Sequence, residues 1–87
     1  MFSLELKRVL SLKGCPVGST KEILGWFQEK GFYITVEIAT NQNDEFKGYV
    51  AMAYYKPFSH SYETNIYSTQ FDAIESLLFE IQRFIYE

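Results

Sequence analysis

Residues 69–87 read TQFDAIESLLFEIQRFIYE, and their apolar positions decide the fold. Apolar side chains recur there at steps of three and four: Phe71, Ile74, Leu77, Leu78, Ile81 and Ile85. This spacing is that of one buried face on an α-helix. Thr69 can cap the first turn, with Asp72 three residues later to complete a capping box. We therefore expect a helix of about five turns, and it needs an apolar surface to cover.

The middle of the chain predicts the sheet on which that helix packs. Residues 32–40 alternate between two faces, one of which carries four apolar side chains: Phe32, Ile34, Val36 and Ile38. Such alternation is typical of a half-buried strand. A polar loop at 41–45 leads to a second strand at 46–56, which is apolar on both faces and should be central. Residues 62–67 predict a third, more polar strand.

A helix is predicted just before the sheet. Ser19 and Glu22 form a capping box, and Gly31 is the expected left-handed residue that ends the helix. Gly25 lies inside this helix, at a cost of up to about 1 kcal/mol relative to alanine. Either it marks a close approach of another backbone or it is a tolerated glycine with no special role.

Residues 3–13 fit a short first helix, with Ser3 as its cap and Gly14 as its end. The alternation of Phe2, Leu4 and Leu6 also fits an edge strand, and the sequence leaves that alternative open. With the helix, the predicted fold class is α+β in the order α-α-β-β-β-α. It is a three-stranded antiparallel meander with helices packed on one face, and residues 1–87 form a single domain.

Composition indicates the class of protein. The chain has 47% apolar and 18% aromatic residues, which argues against disorder. Its single cysteine excludes an intrachain disulfide and fits a reducing compartment. The longest apolar run, residues 49–55, is too short to span a bilayer, and residues 1–13 lack the features of a signal peptide. We expect a soluble cytoplasmic protein.

The charge pattern argues against nucleic acid as a partner. The net charge is −3, and the last predicted helix alone carries four acids and one base. The order α-β-β-β-α is shared with double-stranded-RNA-binding domains, which grip phosphates with bases at the start of their last helix. Here that helix opens Ser68-Thr69-Gln70-Phe71-Asp72, and the first hairpin loop is acidic. The topology is shared, but the chemistry is not.

Few residues could carry catalysis or bind a metal. Cys15 and His60 lie in separate loops and cannot by themselves complete a structural zinc site. The serines beside His60 have no acid placed to orient the ring, and Cys15 is expected to be partly exposed. Glu37 and Glu63 could meet across the sheet, although solvated carboxylates are far commoner than a catalytic pair. We expect no catalytic residue, metal or cofactor.

The remaining signal is a patch on the outer face of the sheet. If Val50 and Met52 point towards the helices, the outward side chains are Tyr33, Tyr49, Ala51, Ala53 and Tyr55. A broad uncharged patch often marks an interface. The leading hypothesis is a homodimer through this face, or through an unpaired edge of strand one or three. A half-shielded face without a partner, or rings that stack single-stranded bases, are the alternatives.

The chain also resembles a group of small uncharacterised proteins common in gut Bacteroidetes genomes and their phages or mobile elements. The similar segments are Trp26-Phe27-Gln28-Glu29-Lys30 before a strand, Phe71-Asp72-Ala73-Ile74-Glu75 opening the last helix, and the Leu-rich segment that ends Lys13-Gly14. Gln28 departs from the group's pattern, which has arginine there. The resemblance implies an α+β domain capable of self-association and carries no activity. Together these features predict a small interaction module without catalysis, or alternatively a nucleic-acid-binding accessory protein.

Overall fold

A computed structural model describes residues 2–85 of the chain. Its helices and strands follow the predicted α-α-β-β-β-α order, which is confirmed: α1 (Leu4–Leu12), α2 (Thr20–Glu29), β1 (Phe32–Thr40), β2 (Phe46–Tyr55), β3 (His60–Glu63) and α3 (Gln70–Ile81). Two short 3₁₀ turns follow β2 and α3, at Lys56–Phe58 and Gln82–Phe84. The strands form one antiparallel sheet in the order β1-β2-β3, and the helices lie on one side of it.

The three predicted helix caps are confirmed. The hydroxyls of Ser3, Ser19 and Thr69 each accept a hydrogen bond from the backbone N–H three residues later. Such a bond satisfies one of the donors that a helix start leaves without a partner. Residues 4–12 are therefore helical, and the edge-strand alternative for this segment is wrong.

The bounds of α3 and β3 differ most from the prediction. The α-helix of α3 ends at Ile81, where the chain tightens into a 3₁₀ turn and then extends at Ile85; the predicted residues 86–87 lie outside the described part. β3 begins at His60 rather than at residue 62, and it ends at Glu63. Beyond it, Tyr67 forms only an isolated bridge with Tyr49.

The orientation of β2 is the main correction to the sequence prediction. Ala51 and Ala53 are fully buried against the helices, and Tyr49 and Tyr55 pack half-buried on the same core. The prediction that these four residues point outward is therefore wrong. Of the predicted patch, only Tyr33 lies on the outer face, where it pairs with Tyr54.

A bulge in the hairpin explains the reversal. Thr40 pairs with Phe46, but Ala39 pairs with Gly48, so the register shifts by one residue past Lys47. A one-residue shift moves every later side chain of a strand to the opposite face. Gly48 takes φ 147°, and a Cβ there would clash with the carbonyl oxygen of Tyr67.

The core lies between the helices and the inner face of the sheet. Its largest fully buried side chains are Phe27, Phe32, Leu6, Leu10, Ile23, Leu77, Leu78 and Ile81. Two hydrogen bonds attach α1 to the last part of the chain. The Ser3 N–H donates to Glu75 Oε1 at 2.5 Å, and Lys13 Nζ donates to the carbonyl of Ile85 at 2.6 Å. Burial of a continuous apolar cluster is the main stabilising term for a domain of this size.

Leu78 tests the packing of α3. Its side chain is fully buried, so Leu78→Ala should lower the free energy of unfolding by about 2–5 kcal/mol through lost burial and a cavity. Leu12 in α1 is 83% exposed, and Leu12→Ala is the matched control, with an expected change within about 0.5 kcal/mol. Urea unfolding followed by circular dichroism measures both. Equal losses in the two variants would contradict this core.

Gly25 has no close neighbour, so of the two alternatives for this glycine the close approach of another backbone is wrong. A Cβ built at this position meets no atom within 4 Å. Gly25→Ala should therefore raise the free energy of unfolding by about 0.5–1 kcal/mol, because alanine restricts the unfolded chain and favours the helix. Gly48→Ala, which places a Cβ against Tyr67, should destabilise the fold. Thermal unfolding of the two variants checks the contrast, and a destabilising Gly25→Ala would refute it.

Candidate interaction surfaces

The outer edge of β1 carries backbone groups that point away from the sheet. The backbone groups of Tyr49 and Ala51 in β2 form hydrogen bonds with residues on the β3 side. The alternate residues of β2, such as Val50, therefore form their backbone hydrogen bonds with β1. Since antiparallel ladders alternate, the N–H and C=O groups of Ile34, Val36 and Ile38 point outward. Within residues 2–85 no backbone hydrogen bond reaches them. We call this row the free edge of β1.

The free edge has few of the features that normally block edge pairing. Natural edge strands are usually short or interrupted by proline, lysine or a bulge. β1 has nine residues, and Glu37 is its only charged one. The bulge comes only at its far end, between Ala39 and Thr40. Residues 32–38 therefore form a regular strand with an open edge.

Helix α2 covers only the first half of β1. A helix of ten residues is about 15 Å long, whereas a nine-residue strand extends about 30 Å. Ile34 and Val36 are accordingly half-buried, but Ile38 on the same face is 65% exposed. Between α2 and the covered half runs the α2 groove, a volume of about 250 Å³ lined by Leu24, Gln28, Phe32, Tyr33, Ile34 and Thr35.

The outer face of the sheet is mixed in character. Tyr33 and Tyr54 pair across it, and their side chains are 41% and 42% exposed. Glu37 pairs with Val50 and Glu63 with Met52. The two carboxylates thus share a face but lie two strands apart, roughly 10 Å by the strand spacing. The structure does not bring them together as a pair.

A second surface lies at the opposite end of the sheet from the hairpin. Five side chains line a cleft of about 420 Å³: Tyr55, Phe58, His60, Tyr62 and Phe84. We call it the aromatic cleft. The sequence pattern does not predict this cleft, because its side chains come from β2, β3 and the two 3₁₀ turns. The only sequence signal was the density of rings in residues 54–62.

The side chains that could bind a metal or act as a nucleophile lie apart. His60 packs against the Tyr62 ring at 4.7 Å between centroids, and Ser59 Oγ accepts a hydrogen bond from the Tyr54 hydroxyl at 3.2 Å. Among the described residues, no three His, Cys, Asp or Glu side chains cluster as metal ligands would. No helix between residues 2 and 85 has the length and apolar character needed to cross a membrane.

Cys15 is buried, not partly exposed as the sequence suggested. Its side chain is 4% exposed and belongs to the core. Burial, and secondarily the negative charge of Glu22, raise the pKa of the thiol from 9.0 to about 11. The thiolate is the reactive form of cysteine, so this thiol is held in its unreactive state.

The chain matches no protein-family model, no curated protein and no solved structure with which it was compared. The resemblance to small proteins of gut Bacteroidetes and their mobile elements therefore stays a prediction. The described residues offer three surfaces that could bind a partner or ligand: the free edge, the α2 groove and the aromatic cleft.

The reaction rate of the Cys15 thiol tests its buried position, because the rate depends on the pKa of the thiol and on the pH. Its raised pKa means that the folded chain holds the thiol proton more tightly than the unfolded chain. The associated stabilisation is complete below pH 9.0 and is lost as the pH rises towards 11. At pH 8 the folded protein should react with a disulfide reagent at least about 100-fold more slowly than the chain in guanidinium chloride. Equal rates would contradict the buried position.

Proposed function

We propose that the protein is a small interaction module that forms a homodimer through the free edge of β1 and carries out no reaction of its own. The observation that carries this proposal is the regular, unpaired edge over residues 32–38. Pairing with a second copy would satisfy its outward N–H and C=O groups with backbone hydrogen bonds. We further propose that it acts in the cytoplasm, where a lone buried thiol is a common feature.

Three features favour one register for the dimer. Two copies of a strand at residues 32–40 overlap fully when they pair antiparallel about Val36. Val36 is also one of the residues whose backbone groups point outward, so the central pair would exchange two backbone hydrogen bonds. This register places Glu37 opposite Thr35 of the second copy. A register centred on Glu37 would oppose two carboxylates, which destabilises a pair.

The same register places the uncovered half of β1 in one copy beside the half of β1 that α2 covers in the other copy. Ile38 of one copy lies opposite Ile34 of the other, and both side chains are on the inner face. Ile34 lines the α2 groove together with Leu24 and Gln28. Each exposed Ile38 would therefore lie beside the partner's groove, where its apolar surface leaves water. A two-fold axis repeats this contact, so a single surface serves both copies.

The predicted sheet-face interface is replaced in this proposal. Ala51 and Ala53 are in the core, so they cannot form the centre of a contact on the outer face. Tyr33 is the one predicted interface residue that adjoins the free edge, since it begins β1 on the outer side. In the paired sheet it would extend the outer face across the junction, next to Ala39 of the second copy.

Ile38→Lys tests the proposed dimer. A charge at this position would be buried beside the partner's groove, so pairing should be lost. The monomer should keep its stability within about 0.5 kcal/mol, since Ile38 is 65% exposed. Ile66→Lys is the control, because Ile66 is 53% exposed and lies on the β3 side. Light scattering at about 100 μM, enough to detect a micromolar Kd, should give twice 10.2 kDa for wild type and control.

The register has its own check through a disulfide. With Cys15 replaced by serine, Val36→Cys should cross-link two copies on oxidation, because a residue on the two-fold axis faces itself within disulfide reach. Ala39→Cys should not, since it faces Tyr33.

A monomeric wild type at about 100 μM would end the proposal, as would a dimer that Ile38→Lys leaves intact. Cross-linking at Ala39 alone would overturn the register.

A further inference from the structure

The aromatic cleft has the size and lining of a small-molecule site. Ligand pockets usually enclose about 300–1,000 Å³ and combine apolar or aromatic walls with a few polar groups. This cleft measures about 420 Å³. Its polar groups are the hydroxyls of Tyr55 and Tyr62 and the imidazole of His60, and none of them has a hydrogen-bond partner within residues 2–85. They remain available to a ligand.

One wall is a short turn that holds a phenylalanine in solvent. Phe58 is 80% exposed, although its ring contacts Tyr55 at 5.5 Å. Pro57 lies at the start of the 3₁₀ turn, and Ser59 ends it with φ 50°, in the left-handed region. The N–H of Lys56 donates to the Gly31 carbonyl at 3.0 Å. The conformation of this turn holds the Phe58 ring in solvent, where the ring lies beside Tyr55.

The opposite wall is fixed by the early end of α3. Phe84, in the 3₁₀ turn, packs on Tyr62 at 5.2 Å with the two rings 30° apart. Ile85 then returns to the core, where Lys13 Nζ holds its carbonyl. Beneath both walls lies the buried Phe32, which stacks on Tyr55 at 4.6 Å and contacts Tyr62 at 6.3 Å. The two walls therefore share one floor.

The charges around the cleft favour an anion. No Asp or Glu lines it. Lys56 begins the turn that carries Phe58, and the guanidinium of Arg83 lies 5.7 Å from the Phe84 ring. Arg83 also bonds Glu80 at 2.7 Å, but both side chains are about 60% exposed, at 60% and 58%, so this pair contributes little and can open. Glu63, the acid within β3, points to the outer face with Met52.

We propose that the aromatic cleft binds a planar aromatic ligand that carries an anionic group. The ring lies between the Tyr55–Phe58 wall and the Tyr62–Phe84 wall, where face contacts with aromatic side chains are favourable. The anionic group lies at the rim, beside Lys56 or Arg83, and the imidazole of His60 offers a hydrogen bond within the cleft. None of the five side chains that line the cleft belongs to the free edge, so binding here does not require the proposed dimer.

A pair of probes with one ring and opposite charges tests the ligand class. The ¹⁵N-labelled full chain is titrated with indole-3-acetate and, separately, with tryptamine. Indole-3-acetate should give saturable shifts confined to residues of the cleft, with a Kd on the order of 1 mM for a ligand of this size. Tryptamine should bind at least about fivefold more weakly, because the cationic rim repels its ammonium.

Two variants locate the binding. Phe58→Ala should weaken indole-3-acetate binding about tenfold through loss of one wall, and Lys56→Gln should reduce the preference for the anion. Phe46→Ala is the control, since Phe46 is also exposed, at 57%, but lies at the hairpin end. Circular dichroism should show all three folded, because the substituted side chains are exposed. Absence of shifts in the cleft at about 10 mM, equal binding of tryptamine, or equal weakening by Phe46→Ala would each overturn the proposal.

Discussion

The register between β1 and β2 is the constraint on which the rest of the structure depends. The bulge at Gly48 turns Ala51 and Ala53 towards the helices, and α3 packs on β2 above them. Small side chains at the centre of a sheet let a helix approach closely, so α3 can bury Leu77 and Leu78. Without the bulge, Val50 and Met52 would occupy those positions and the alanines would face water. Packing of the whole helical layer therefore depends on one extra residue in the hairpin.

A small helical layer on a long sheet leaves apolar surface at both ends. The described chain extends 45 × 30 × 18 Å, and the helices cover the middle. At the hairpin end, Ile38 projects beyond α2 and the β1 edge stays open. At the other end, α3 stops early and the rings of Phe58 and Phe84 remain in solvent. These two uncovered regions, one a strand edge and the other a cleft, are the basis of the two separate proposals for binding.

Parts of these sites could be predicted and parts could not. The alternation of residues 32–40 predicted β1 with its correct bounds and suggested an open edge as one route to a dimer. The sheet-face patch was misplaced because β2 is apolar on both sides, so a period of two cannot tell which side is inner. The aromatic cleft could not be predicted, since Phe84 meets Tyr62 only where α3 ends, and that end depends on tertiary contacts of Ile85.

The sequence by itself determined the local elements of this protein. Helix caps at Ser3, Ser19 and Thr69, a glycine at the end of α2 and the alternation of β1 act within a few residues, so they can be interpreted without knowing the partners. Only the tertiary structure decided which face of β2 is buried, where α3 ends and which rings share a cleft. Those features depend on contacts between distant segments, above all the close approach of Tyr67 to Gly48, and a local pattern contains no information about them.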